Sequence, residues 1–289
     1  MGLRDHSFNL SYGPSDDRLY AFYIPALKAS IRYDRMTGFF TSGALAVAAA
    51  GVAHLIANGG RMRLLVGAQL EPEDVEAIRA GHDLREIVAL RLSSALPDPE
   101  TLADQIMRDR LAALAWMVAA GTLEIRVVLP RGPDGLPIPA PEARDYFHPK
   151  VGIFTDAQGN QVVFSGSVNE SETGWQHNYE QFMVFCSWAE GRVYGTEEVS
   201  RFERLWAQRE PDWVSLPIPE VVRQKLLRYT PSTAPRHDPL ERAPGEVRER
   251  VSRMVLAPAL QQERIPMRQE ERALYERIEE YITRFYRKI

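Results

Sequence analysis

Apolar and polar residues change their period several times along the chain, and each change marks an element. Residues 16–30 carry apolar side chains at helical spacing with acidic residues at the start, which predicts a helix interrupted near Pro25. Residues 31–40 read as a strand, and residues 42–56 as an alanine-rich, almost wholly apolar helix stopped by Asn58-Gly59-Gly60. Residues 61–67 read as a second strand. Small side chains let such a helix lie close to a sheet, so the three elements predict a β-α-β unit with parallel strands. On this helix, His54 reads as a packed or capping residue rather than a ligand. Two short helices are expected over 71–80 and 84–96, separated by Gly81. A longer amphipathic helix follows over 104–120, with Met107, Leu111, Leu114 and Val118 on one stripe and Gly121 at its end. Residues 123–129 alternate as a strand, and Pro130 to Pro141 form a proline-rich connection. A strand over 182–187 and a covering helix over 197–207 complete a domain that ends near residue 228.

The most polar-rich stretch of this plan lies at 146–180. Residues 151–155 and 161–164 are short apolar runs on either side of the turn-rich Asp156-Ala-Gln-Gly-Asn160, which predicts a β-hairpin. His148 and Lys150 stand two apart just before its first strand, so in extended chain their side chains project to one side. Ser165-Gly-Ser-Val-Asn169 leaves the second strand near the same end. Each residue alone would serve as a turn or surface group. Taken in order around one hairpin, they predict an imidazole, an ammonium, hydroxyls and an amide converging on a small volume.

That set suits a phosphodiester. A neutral imidazole attacks phosphorus and splits one displacement into two easier ones, while Lys150, Ser167 and Asn169 supply donors for the equatorial oxygens. The spacing of carboxylates nearby suggests no metal site, and no cofactor is expected. Of the 35 basic residues only Lys28, Lys150, Lys225 and Lys288 are lysine, so a lysine beside a histidine suggests a need for a compact point charge.

His148-Pro-Lys150, Gly166-Ser167-Val-Asn169 and Asn178-Tyr-Glu180 together resemble the H-x-K, G-S-x-N and N-x-E pattern of the phospholipase D superfamily. Tyr33-Asp-Arg-Met-Thr-Gly-Phe-Phe40, Leu114-Ala-Trp-Met117 and Trp206 are similar, further, to the phospholipase D-like nuclease domain found beside or fused to Swi/Snf-type or DEAD-box helicases in bacterial defence systems. The resemblance covers roughly residues 8–228. It implies an α/β fold, a mixed sheet flanked by helices as an α/β/α sandwich. It also implies a homodimer, because members with one such motif complete the site from two copies. The activity implied is a metal-independent nuclease, cleaving DNA or RNA through a phosphohistidine at His148. Lys150 and Asn169 would hold the nonbridging oxygens, Ser167 would support them and Glu180 would orient the imidazole. Ser165, Trp175 and Asn178 are candidates for substrate contact, and His177 beside them is another residue that could stack on a base. A helicase or other defence-system subunit is the implied partner. One position departs from the pattern: its aspartate falls at Thr155, and Asp156 comes one place later, where it reads as a structural turn residue that could also support the site from behind.

Composition changes this picture in two places. A chain that is 45% hydrophobic and 26% charged can bury a core unaided, and the single Cys186 excludes an internal disulfide and fits a reducing cytoplasm. No apolar run is long enough to span a bilayer, so no membrane association is expected. The net charge of −4 gives no general affinity for nucleic acid. Residues 1–228 hold 23 basic against 29 acidic side chains, and residues 229–289 hold 12 against 10. A basic groove would have to be local, with Arg32, Arg35, Arg61, Arg63 and Arg144 as candidates.

Three segments are therefore expected: a catalytic domain over 1–228, a proline-rich linker with a short helical segment over 229–269, and an amphipathic helix over 270–289. That helix carries Leu274, Ile278, Ile282 and Phe285 on one stripe, needs a partner, and is similar to a helix between the motor lobes of Swi/Snf-type helicases. No phosphate-binding G-x-x-x-x-G-K-[ST] is present, so no ATPase is expected in this chain. The rival readings are a catalytically silent nucleic-acid-binding or regulatory module of a helicase complex and, from a third class, a lipid hydrolase.

Overall fold

The computed structural model describes residues 2–13, 16–102, 105–143, 147–166 and 181–242. Ser167, Asn169, Trp175, His177, Asn178, Glu180 and Arg144 lie outside the described residues, as does the helix expected over 270–289.

Eight strands make one sheet: β1 (Ser11–Tyr12), β2 (Arg32–Phe39), β3 (Arg61–Gly67), β4 (Leu123–Pro130), β5 (Val151–Thr155), β6 (Gln161–Gly166), β7 (Phe182–Cys186) and β8 (Trp213–Pro217). Their order is β1-β7-β6-β5-β2-β3-β4-β8. The central β2, β3 and β4 run parallel, and every other neighbouring pair is antiparallel. The helices are α1 (Ile24–Lys28), α2 (Ser42–Ala48), α3 (Val52–Ala57), α4 (Pro72–Arg79), α5 (Leu84–Ala95), α6 (Gln105–Ala119), α7 (Arg192–Trp206) and α8 (Glu220–Leu227).

Strand alternation divides the core in two. Tyr33, Met62, Leu64, Val66, Ile125, Val127, Phe154 and Phe164 meet the residues of α1 to α6 and α8 on one face. Met36, Leu65, Val128, Val151, Ile153 and Val163 meet Phe202 and Leu205 of α7 on the other. The α/β architecture is thus the expected one, with helices on both faces. Phe202 is fully buried, with its ring stacked on Trp206, and Phe202→Ala would remove about 3–5 kcal/mol.

Several elements differ from the sequence reading, each for a physical reason. Residues 19–23 form a π-helical turn before α1, so that Pro25, which has no N–H, falls in the first turn of the helix; the Ala21 carbonyl, which residue 25 would pair with in an α-helix, accepts the Tyr12 hydroxyl at 3.2 Å. The apolar helix expected over 42–56 breaks into α2 and α3 at Gly51, whose φ is +74°. Its N–H leaves the helix ladder and donates to Asp238 Oδ2 at 2.8 Å. The helix expected from residue 197 begins at Arg192. Strand β8 and helix α8 were not expected, because their short apolar runs lack a clear period.

The first part of the stretch read as a linker, through residue 242, lies against the domain. Asp238, 1% exposed, accepts from the Arg110 guanidinium at 3.1 and 3.2 Å and from the Leu240 amide at 3.0 Å. Burial pushes its carboxyl up, but Arg110 and the backbone donors outweigh that and hold it below the usual carboxylate range. His54 is buried as expected, with Nε2 2.8 Å from Glu241 Oε2.

Candidate active site

The β5–β6 hairpin forms with Val151 opposite Ser165 and Thr155 opposite Gln161. On its other side β5 pairs with β2, Met36 opposite Val151. One residue further along each chain come Thr37, Lys150 and Gly166, side by side at the carboxyl end of β2. The parallel strands β3 and β4 end at the same edge. Ligand sites of open α/β sheets form there because the chain turns away from the strand ends and leaves a crevice.

At this edge His148 and Lys150 come together. Lys150 is 7% exposed, and its Nζ lies 2.5 Å from His148 Nδ1 and donates to the His148 carbonyl at 2.8 Å. The His148 residue keeps an exposed side, while its Cδ2–Nε2 edge packs on Gly38. Burial of that edge, and then the Lys150 ammonium, lower the imidazole from 6.5 to about 4. At neutral pH the ring is therefore an uncharged base beside a buried cation. An ammonium donating into Nδ1 leaves the ring proton on Nε2, so a nucleophilic Nε2 requires Nδ1 to change partners.

The structure does not bring Ser165 into this pair. Its hydroxyl donates to Glu198 Oε1 of α7 at 3.0 Å. Its cross-strand partner Val151 sits in the α7-side core, and alternation directs the neighbouring Lys150 to the other face. Adjacent strand residues point oppositely, so Ser165 and Lys150 lie on different faces of the hairpin.

Asp156 takes a structural role. It opens the turn at the far end of β5, about 20 Å of extended chain from Lys150. Its carboxylate accepts from Leu3 N at 3.0 Å, Gln158 N at 3.0 Å, Asn160 N at 2.8 Å and Asn160 Nδ2 at 2.9 Å. The hairpin turn and the N-terminal segment are thereby tied together.

Two of the arginines considered for a groove are used internally. Arg63 donates to Asp34 at 2.7 and 2.9 Å and to Glu203 at 2.6 and 3.2 Å, with its guanidinium over the Phe202 and Trp206 rings. Arg35, 1% exposed, lies over the Phe164 ring at 4.7 Å. Arg61 is exposed, and Arg32 is partly exposed beside Asp34 at 3.1 Å.

Gly38 and Gly67, at the ends of β2 and β3, were not singled out from the sequence although both touch the His148 segment. A lone glycine within a strand pattern is the signal that could have found them, since it marks close approach of another chain. Among the described residues no group of three or more His, Cys, Asp or Glu side chains is placed to hold a metal ion, and no helix is long and apolar enough to cross a membrane.

No protein-family model matches the chain, and no curated protein matches it. Solved structures with which it aligns include the phosphatidylserine synthase of Haemophilus influenzae Rd KW20, at 15% identity and a TM-score of 0.38 over 86% of this chain. This chain spans 45% of that enzyme's length. NucT from Helicobacter pylori aligns at 10% identity and a TM-score of 0.38, covering 71% of this chain and 97% of its own. Nuc from Salmonella typhimurium, described as a phospholipase D family member, aligns at 13% identity and a TM-score of 0.33, covering 64% of this chain and 84% of its own.

Proposed function

We propose that this chain is a phosphodiesterase of the phospholipase D type that cleaves DNA or RNA through a phosphohistidine, without a divalent metal. The observation that carries the reading is the His148–Lys150 pair. An imidazole lowered to about 4 is uncharged at neutral pH, and a lysine buried against it supplies a fixed positive charge at the same point. A diester brings both a phosphorus for the first and an anionic oxygen for the second.

In this reading Lys150 Nζ transfers from His148 Nδ1 to a nonbridging oxygen as substrate binds. Nδ1 then takes the ring proton, with Glu180 as its carboxylate partner, and Nε2 is freed to attack. A P–N bond forms and the P–O bond to the leaving strand breaks. The departing oxygen takes a proton from the imidazolium of a second copy's His148 across a two-fold axis, the charge of the bound diester raising that ring's affinity for a proton, and this leaves it a neutral imidazole. That imidazole next takes a proton from water, whose oxygen attacks phosphorus and breaks the P–N bond. Asn169 and Ser167 complete the donors around the equatorial oxygens, and Trp175 and Asn178 contact the nucleic acid. The biological setting proposed is a bacterial defence system with a helicase partner, in the cytoplasm.

The test is a nuclease assay in EDTA on single- and double-stranded DNA and RNA, comparing wild type with His148→Ala, with sedimentation analysis of both. Wild-type cleavage by a dimer, with a loss of roughly 10⁴-fold or more in the variant, is the expected result. Equal cleavage by the variant would remove His148 as nucleophile. Binding without turnover by the wild type would instead identify a silent nucleic-acid-binding module, and phospholipid turnover a lipid enzyme.

A further inference from the structure

Gly38 sits at an irregularity. In the β2–β3 ladder Thr37 pairs with Val66 and Phe39 with Gly67, so Gly38 is the extra residue of a bulge at the strand's carboxyl end. Bulges of this kind bend a strand and change which group faces a site. Its φ lies outside the left-handed range, so the backbone does not require glycine there. Space does. A Cβ at residue 38 would stand 2.4 Å from His148 Cδ2 and 2.9 Å from Nε2, distances that no real contact shows.

One strand over, Gly67 has the same relation to the same segment. A Cβ there would stand 2.6 Å from the Phe147 carbonyl oxygen and 3.1 Å from the Gly38 carbonyl oxygen. Phe147 itself is 7% exposed and packs its ring against Trp213 at 5.7 Å, so the segment cannot simply rise off the sheet. The two glycines clear the ends of two adjacent parallel strands, and the chain bearing the histidine crosses them.

We propose that Gly38 is a positioning residue for the reaction: its missing side chain is the seat of the His148 imidazole and sets where Nε2 points, with Gly67 seating the backbone before it. This rests on the reading of His148 as nucleophile. It adds that any side chain at residue 38 would push the ring off the position from which Nε2 reaches phosphorus. A misplacement of about 1 Å is enough to cost on the order of 100-fold in rate.

The experiment uses the full chain with histidine labelled for NMR, as wild type, Gly38→Ala, Gly67→Ala and, as a control, Gly191→Ala, whose added Cβ meets only Phe185 at 3.4 Å. His148→Ala assigns the resonance. In Gly38→Ala the His148 pKa should rise from about 4 toward 6.5 as the ring leaves its packed seat, with unfolding still cooperative. kcat should fall about 100-fold with KM within about threefold. Gly67→Ala should lower kcat in the same sense, and Gly191→Ala should change neither quantity. An unchanged His148 pKa in Gly38→Ala overturns the seat, and a raised pKa with unchanged kcat overturns its role in the reaction. A wild type with no turnover on any nucleic acid removes the proposed function, yet the titration still decides whether Gly38 seats the ring. Should Gly38→Ala not fold, the same titration and rates in Gly67→Ala decide: a lower kcat with a shifted His148 supports the seat, and wild-type values overturn it.

Discussion

The two ends of the β5–β6 hairpin each hold a buried ionisable group, and they are built in opposite ways. At the turn end, Asp156 is 2% exposed and four N–H donors surround its carboxylate. Burial pushes it up, but those donors outweigh that and keep it below the usual range, so the charge is fully satisfied. At the open end, Lys150 is 7% exposed, and its ammonium lies on an imidazole nitrogen and a carbonyl of the same short segment. A carboxylate saturated with donors holds structure together, whereas the ammonium lies against a neutral base at the strand ends, where the proposed function puts the diester. One hairpin thus holds the two arrangements apart by the length of five residues.

The contrast breaks most visibly at Lys150. Lys150→Met keeps the apolar stem and removes the charge, and we expect kcat/KM on a nucleic-acid substrate to fall about 10²–10³-fold. The His148 pKa should rise from about 4, because the ammonium that opposes its protonation is gone. Retained activity, or a histidine that stays at about 4, would show that the lysine serves only packing.

Asp156→Ala attacks the other end. Four donors lose their acceptor, and denaturant unfolding should show a loss of about 2–3 kcal/mol with kcat per folded molecule unchanged. A fall in kcat would tie the turn to the site after all. The carboxyl is lowered in the folded state, so its contribution is present above the unfolded carboxyl value and is lost as pH falls through the folded one.

The smallest effect is the shape of the acid limb. A histidine lowered to about 4 stays neutral through pH 5, so kcat/KM should decline only near pH 4 and not near 6.5. Its stability sign follows. Between pH 6.5 and about 4 the unfolded chain binds a proton at His148 that the folded chain does not, so stability decreases as pH is lowered across that window. His148→Ala should flatten that part of the stability profile, and an identical slope in the variant would contradict the assignment.

Much of this was legible in local pattern. The hairpin, the parallel β2–β3 unit and the pairing of His148 with Lys150 follow from strand period, turn residues and two-residue spacing, all of which act over a few positions. Other features depended on groups far apart in sequence. At the break at Gly51 the freed amide is taken by Asp238, 187 residues away. Ser165 looked like part of the site and is turned toward Glu198, since the face a strand residue occupies depends on what packs above it. Arg35 and Arg63 looked available and are held by Phe164, Asp34 and Glu203.

The sequence by itself determined most of the elements, the closeness of His148 to Lys150 and the alternation that makes a two-faced sheet, because these depend on neighbours along the chain. Only the tertiary structure decided which polar groups meet, which arginines are spent on the interior, and that two glycines on adjacent strands lie beneath one histidine. Those outcomes depend on distances across the sheet, and a distance of that kind has no signature in residue order.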